Sequence, residues 1–340
     1  MVRPRIGIKD VAREAGVSVG TVSNVINQPE IVSEAMRARV QSAISRLGYV
    51  RSEHARHLRA GASRLVALLV LDMGNPFFAA VAGGAERAAR QAGLGVMVGN
   101  SAESRSQESE YLSLFATQRV RGVLVTPADP TGRSLDVLRG QSIPFVLVDR
   151  VSADDAACSV SVDSVVGGRL AVRHLIAAGH RSIVYVGGPP DWPQVRDRRA
   201  GALAALDEAG VPRSALTVIT AERLDVSAGR DAGARLLGLV PRPSAVFCAN
   251  DLLALGVLQA LFSARLRVPE DLAIVGYDDI EFAAAAAVPL TSVRQPAAAM
   301  GRLAAEMLLE ETSDEPGRHE HRQVVLQPEL VVRGSSLRAR

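Results

Sequence analysis

From residue 65 to residue 276 the chain repeats one pattern, a short continuous apolar run followed by a longer stretch of helical periodicity. The runs at 65–71, 95–98, 123–125 and 145–148 are separated by helical stretches at 78–92, 107–118 and 131–139. After about residue 162 the cycle restarts with a helical stretch at 165–178. Runs at 183–186, 217–219, 245–248 and 273–276 then alternate with helical stretches at 198–209, 227–237 and 252–265. Unbroken apolar runs suit strands covered on both faces, as in parallel sheets. Their alternation with helices predicts a doubly wound α/β architecture. Two such sets in series predict two lobes with a cleft between them. Ligands of such sheets bind beyond the carboxyl ends of the strands. Asp149, Asn250 and Asp278 each follow an apolar run and are therefore candidate ligand contacts.

The first 60 residues differ from this body. They hold ten Lys/Arg against five Asp/Glu, while the whole chain has a net charge of only +3. A basic head on a near-neutral body suits a nucleic-acid module, although a solvated basic surface has the same composition. Within the head, Val11, Ala12 and Ala15 share one helical face, Gly16 is a C-cap signal, and Ser18 is an N-cap signal for a second helix, 19–26. Two short helices about a tight turn form a helix-turn-helix. The second helix supplies Val22, Val25 and Ile26 to a small core and leaves Val19, Gly20, Thr21, Ser23 and Asn24 facing outward. A third helix, 33–47, completes the core with Ala35, Val40, Ile44 and Leu47. Small and amide side chains near a helix N-terminus fit a major groove, and the Ser18 hydroxyl and nearby backbone N–H groups suit phosphates.

The motifs Ile8-Lys9-Asp10-Val11-Ala12, Ala15-Gly16-Val17-Ser18 and Thr21-Val22-Ser23-Asn24-Val25-Ile26-Asn27 resemble the lactose/galactose repressor family. So do Leu47-Gly48-Tyr49 and Ala55-Arg56-His57-Leu58-Arg59 in the head. In the body the resemblance continues through Asn75-Pro76-Phe77-Phe78, Val148-Asp149-Arg150, Asn250-Asp251, Gly276-Tyr277-Asp278-Asp279 and the run from Pro289 to Pro296. It implies an N-terminal all-α helix-turn-helix head on a two-lobed body of the type I periplasmic-binding-protein kind, with parallel sheets. It also implies a homodimeric repressor on a near-palindromic double-stranded operator, under control of a small-molecule effector, most often a sugar or sugar derivative and next a nucleobase or nucleoside. By resemblance, Val19, Gly20 and Asn24 read bases, with Ser18, Thr21, Ser23 and Asn27 on the same DNA-facing segment. Asn24 stands where the family more commonly has Arg. Leu58 matches a hinge leucine that wedges into the minor groove, whereas taken alone it packs on the third helix. Val50-Arg51-Ser52 departs from the family's usual Pro-Asn at the hinge entry.

The implied organisation is a head at 6–50, a hinge at 51–63, a first lobe of 64–161 with 291–322, and a second lobe of 162–290 with 323–340. The expected effector contacts are Phe77, Phe78, Asp149, Trp192, Arg198, Asn250, Asp278 and Gln295, with Gln194 and Leu224 less firmly aligned. Each has a plainer reading. Phe77 and Phe78 serve equally as core, Asp278 and Asp279 as caps of a following helix, and Trp192 as a loop residue.

Other chemistries find little support. Gly16-Val17-Ser18-Val19-Gly20 matches a hydrolase nucleophile elbow in letters, but it follows a helical segment where that elbow requires a strand. No Walker A motif occurs, and Gly93-Leu94-Gly95 lacks the third glycine of a dinucleotide site. Cys158 and Cys248 show neither metal nor disulfide spacing, which suits a reducing compartment. His319-Glu320-His321 falls in a polar stretch and reads as a surface loop. No catalytic residue, metal or cofactor is expected. Without a bilayer-length apolar run or a signal segment, the expected location is the cytoplasm, away from membranes. A transport solute-binding protein would leave the basic head without a role, and an α/β enzyme would need a catalytic constellation that the sequence does not supply.

Overall fold

The computed structural model describes residues 6–49, 63–129, 131–152, 156–313 and 319–337. Two compact units divide the chain, residues 1–62 and 63–340. The hinge residues 51–62, Leu58 among them, lie outside the described residues.

In the first unit α1 (Ile8–Ala15) buries Val11, Ala12 and Ala15 and ends at Gly16, whose φ of 60° is the left-handed conformation of a helix stop. Ser18 then caps α2 (Val19–Asn27), its Oγ accepting the Thr21 N–H at 3.0 Å. The third helix, α3 (Glu34–Leu47), follows Ser33 and ends at Gly48, again left-handed. Val22, Val25, Val40 and Ala43 close the core with the α1 residues. Ala35 does not join them and is exposed. It lies off the stripe of Val40, Ala43, Ile44 and Leu47, so helical periodicity turns it to solvent.

The second unit holds two sheets. The first has the order β2-β1-β3-β4-β5-β11, built from β1 (Leu65–Val70), β2 (Gly95–Asn100), β3 (Val123–Val125), β4 (Phe145–Val148), β5 (Ser159–Val162) and β11 (Gln323–Leu326). All its pairings are parallel. The second has the order β7-β6-β8-β9-β10-β12, built from β6 (Ile183–Gly187), β7 (Leu216–Thr220), β8 (Ala245–Cys248), β9 (Ala273–Asp278), β10 (Thr291–Arg294) and β12 (Glu329–Val331). Among the described strands, β12 alone runs antiparallel in it.

This topology corrects the expected lobe boundaries. β10 was placed with the first lobe but completes a parallel ladder with β9, and β11 was placed with the second but pairs with β5. The chain therefore changes sheet after residues 162, 294 and 326, so the second and third changes come at the ends of β10 and β11 rather than at their starts.

Helices α4 (Pro76–Gln91), α5 (Arg105–Thr117), α6 (Asp136–Gly140) and α12 (Ala297–Glu311) accompany the first sheet. Helices α7 (Ser164–Ala177), α8 (Pro193–Glu208), α9 (Val226–Leu237), α10 (Asp251–Ser263) and the short α11 (Glu281–Ala285) accompany the second. Glycine lets α7 and α8 pack unusually close. A Cβ on Gly168 would fall 1.9 Å from the Arg198 carbonyl oxygen, and one on Gly201 would fall 1.9 Å from that of Val165. The same reciprocal arrangement joins α4 to α12 through Gly84 and Gly301.

Candidate effector cleft and DNA-facing helix

Four strand ends converge on one cavity. The turn after β1 carries Asn75, which caps α4 by accepting the Phe77 N–H at 3.0 Å. Asp149 follows β4 with φ 56°, and Asp278 ends β9 with φ 108°. Asn250 follows β8 and caps α10. Phe77, Phe78, Asp149, Trp192, Arg198, Asn250, Asp278 and Gln295 all line this open cavity. All eight residues expected from the sequence therefore meet at one place, with Gln194 and Leu224 beside them.

The polar groups are already tied to one another, in part across the two sheets. Asn75, from the first-sheet side, donates through Nδ2 to Asp278 Oδ2 at 3.1 Å. Gln194, on α8 of the second, donates to the Asp149 carbonyl at 2.7 Å and to its Oδ2 at 3.1 Å. Gln295 leaves β10 and donates to Asp278 Oδ1 at 2.7 Å. Arg198 is buried, donates to the Ala249 carbonyl at 2.5 Å, and lays its guanidinium 3.7 Å from the Tyr277 ring centroid. Arg198 Nε and Gln295 Oε1, two buried atoms of the site, have no hydrogen-bond partner among the described residues. Asn250 differs from the others. Its Oδ1 accepts from the Leu253 N–H and its Nδ2 donates to the Leu224 carbonyl, so both ends of its amide serve the framework.

Burial controls the charges. It raises the Asp149 carboxyl to about 6, reinforced by the charge of Asp278 and opposed by Arg198. Asp278 is likewise pushed up by burial and pulled down by Arg198, Asn75 and Gln295. Glu103, at the cavity wall, rises to about 7 through burial and the neighbouring Asp72 and Asp225, against the pull of Arg223.

The plainer alternatives fare unevenly. Phe77 and Phe78 are both buried and both line the cavity, with their rings edge to face at 5.0 Å. Trp192 is half-buried at the start of α8, whose first residue is Pro193. That helix starts five residues before the expected 198, which places Arg198 in its second turn. Asp278 and Asp279 do not cap α11, since Ile280 holds that position without a side-chain cap. Asp279 instead pairs with Arg294 at 2.7 Å and Arg333 at 2.6 Å. Asn75 and Asp251 belong to the site without being among the contacts expected from the sequence. Asn75 preceded by turn residues and followed by Pro76 is a cap signal that could have found it. Asp251 is buried and accepts from Ser292 Oγ at 2.7 Å and the Ile280 N–H at 2.9 Å, so it anchors the turn that presents Asp278.

On the head, Val19, Gly20, Asn24 and Asn27 are exposed along α2, with Val19 at 41%. Thr21 and Ser23 are half-buried. Asn27 donates to the Ser23 carbonyl at 2.8 Å, which draws its amide along the helix. Ser18 Oγ is committed to the cap and lies 2.9 Å from the Thr21 hydroxyl. Arg39 locks the turn by donating to the Ala15 and Gly16 carbonyls, both at 2.7 Å.

The family of bacterial regulatory proteins called lacI matches residues 7–52, and a periplasmic binding protein-like domain matches residues 172–336. The ribose operon repressor of Escherichia coli is 36% identical over 330 residues, 97% of this chain and 99% of that protein. The transcriptional repressor PurR of Photobacterium profundum is 34% identical over 329 residues, 96% of this chain and 98% of that protein. The chain belongs to the lacI family. The solved lac repressor dimer, bound to operator and an anti-inducer, matches this lacI-family chain with a TM-score of 0.83 at 27% identity, over 98% of this chain and 99% of that one. The lacI-family protein described here is thus a DNA-binding transcriptional regulator. Among its described residues no helix is long and apolar enough to cross a membrane.

Proposed function

We propose that this regulator is a repressor that holds a near-palindromic operator as a homodimer and changes its grip when a neutral polyhydroxy ligand, a sugar or sugar derivative, enters the cleft. The charge of the cleft carries the ligand class. Asp72, Glu103, Asp149 and Asp278 line it, with Arg198 as the one cation among the described lining residues. Such an acceptor-rich cavity favours a ligand that donates many hydrogen bonds and carries no negative charge. Hydroxyl groups donate to the carboxylates and accept from Arg198. The apolar faces of Phe77, Phe78 and Trp192 suit the C–H face of a sugar ring.

The mechanism follows from bonds already present. Asn75 with Asp278 and Gln194 with Asp149 join the two lobes. An effector that takes over these carboxylates changes how the lobes meet, and it shifts operator affinity only through its different affinity for the two arrangements. In this scheme Val19, Gly20 and Asn24 read bases, the N-terminus of α2 meets phosphates, and Leu58 enters the minor groove. The proposed division is a head at 6–50, a hinge at 51–63, a first lobe of 64–162 with 296–326, and a second lobe of 163–295 with the C-terminal residues. The working compartment is the cytoplasm.

A thermal-shift screen of neutral sugars, sugar phosphates and nucleosides, followed by operator binding with each hit, tests this reading. A neutral sugar at 100 times its Kd contributes about 2.7 kcal/mol and raises the melting temperature by several degrees. Hits confined to phosphorylated sugars or to nucleosides would contradict it.

A further inference from the structure

A second cluster of chemistry-bearing side chains lies at the opposite edge of the first sheet. The parallel register of β11 on β5 pairs Gln323 with Ser159, which brings the residues just before β11 alongside Cys158. The Ser159 N–H donates to the Arg322 carbonyl at 2.9 Å, and the Arg322 N–H donates to Cys158 Sγ at 3.4 Å. His319 Nε2 then lies 3.2 Å from Cys158 Sγ, and His321 Nδ1 lies 3.9 Å from it. The two imidazoles meet edge to face with centroids 5.5 Å apart. Glu311, the last residue of α12, brings a carboxylate into the group. One ligand atom from each of Cys158, Glu311, His319 and His321 falls within 4.8 Å of all the others.

We propose that Cys158, Glu311, His319 and His321 form a structural binding site for a zinc(II)-class ion. The donor set decides the class. A thiolate and two imidazoles suit zinc and its borderline neighbours, whereas calcium and magnesium require oxygen cages. Zinc holds sulfur at about 2.3 Å and nitrogen or oxygen at about 2.0–2.2 Å, so tetrahedral ligand atoms sit roughly 3.3–3.7 Å apart. The separations from Cys158 Sγ already bracket that range. Four protein ligands leave no open position, which is the pattern of a structural rather than a catalytic site.

Charge also balances. One thiolate and one carboxylate neutralise a divalent ion, and the two imidazoles bind uncharged. Binding transfers the Cys158 proton to solvent and forms a metal–sulfur bond, with no change of oxidation state. Without an ion, burial and the Glu311 charge push the Cys158 thiol above its ordinary pKa, the reverse of what a bound cation does. Arg322 turns its guanidinium to Glu310. Bound metal would pin the edge strand β11 and the end of α12 to the start of β5, just before the chain crosses to the second sheet. Neither the Cys spacing nor the His-x-His motif points to this site, because its members are 161 and 163 residues apart in sequence.

The test uses untagged full-length protein, reduced and stripped of metal, titrated with cobalt(II) and then zinc(II). The expected result is one equivalent per chain, a thiolate-to-cobalt charge-transfer band, visible bands of tetrahedral intensity, and displacement of both by zinc. Zinc should raise the melting temperature and slow alkylation of Cys158, read by peptide mass spectrometry. Cys158→Ser should remove the charge-transfer band, and His319→Ala should weaken zinc binding at least about tenfold, with operator binding retained as the check on folding. Cobalt bound without a thiolate band, or alkylation of wild-type Cys158 unchanged by zinc, overturns the site.

Discussion

Replacing Gly168 with alanine puts the geometry of the effector cleft under direct strain without touching the cleft. The new Cβ would lie 1.9 Å from the Arg198 carbonyl oxygen. A comfortable C···O contact is about 3.3 Å or more, so α7 and α8 must separate by roughly 1.4 Å. Both partners are backbone in packed helices, and overpacking of this kind typically costs about 1–3 kcal/mol. For a body of this size that predicts a fall in melting temperature of roughly 2–10 °C. The displaced residue is Arg198, whose guanidinium is fixed by Ala249 and Tyr277. Charge-assisted hydrogen bonds contribute about 1.5–3 kcal/mol each, so losing one to the ligand weakens effector binding about 10- to 150-fold. Calorimetric titration with the sugar found by screening measures this. Gly140→Ala is the control, since a Cβ there meets nothing within 4 Å among the described residues. Operator affinity without effector should change little. A Gly168→Ala protein that melts with wild type and binds the sugar equally well would refute the reasoning.

Other outcomes follow from the same structure. Asp149 and Glu103 have raised pKa values of about 6 and about 7, so the folded state binds more protons than the unfolded chain. Their contribution to stability is therefore favourable at low pH relative to high and is lost as pH rises from about 4 towards 7, which thermal melts across that window would register as an upward slope on acidification in wild type that is reduced in Asp149→Asn. Effector binding should run the other way, because ionised carboxylates accept the ligand's hydroxyls. With Asp149 near 6, affinity at pH 5 should be about tenfold weaker than at pH 7.5, measured by calorimetry at the two values. Arg39→Ala removes two donors from the Ala15 and Gly16 carbonyls. About 1 kcal/mol of lost anchoring should loosen the α1–α2 turn and weaken operator binding roughly fivefold, with faster amide exchange at residues 16–18. Asn24→Arg on the exposed face of α2 should move operator preference towards guanine at the contacted base by about 1–3 kcal/mol, read by selection from a randomised operator library.

Much of the cleft was legible because its residues sit where a strand period ends. Asp149, Asn250 and Asp278 each follow a continuous apolar run, and that local signal survives without knowledge of the fold. Arg198 and Gln295 were placed by family resemblance, since Arg198 lies inside a helix and Gln295 follows β10, whose Thr-Ser-Val-Arg is not an apolar run. The turn residues of the head were equally plain, because Gly16 and Ser18 have strong positional preferences. Other features depended on tertiary pairing. Ser159–Val162 alternates serine with valine, as a half-exposed strand does, yet all four residues are buried between β4 and β11. The membership of β10 and β11 was exchanged because a change of sheet leaves no mark in composition. Ala35 has the residue type of a core position, but the helix phase set by Val40 and Ala43 turns it to solvent. The Cys158 cluster is the extreme case, assembled only by the register of β11 on β5.

The central claim is that this lacI-family regulator couples the Asp149–Arg198–Asp278 cleft to operator binding. Fluorescence anisotropy of a labelled operator, titrated with wild-type protein and with Asp278→Asn in the presence and absence of the identified sugar, tests it most directly. The account predicts that the sugar changes the wild-type operator Kd by about fivefold or more and leaves that of Asp278→Asn unchanged. An equal response of both proteins to the sugar would contradict it.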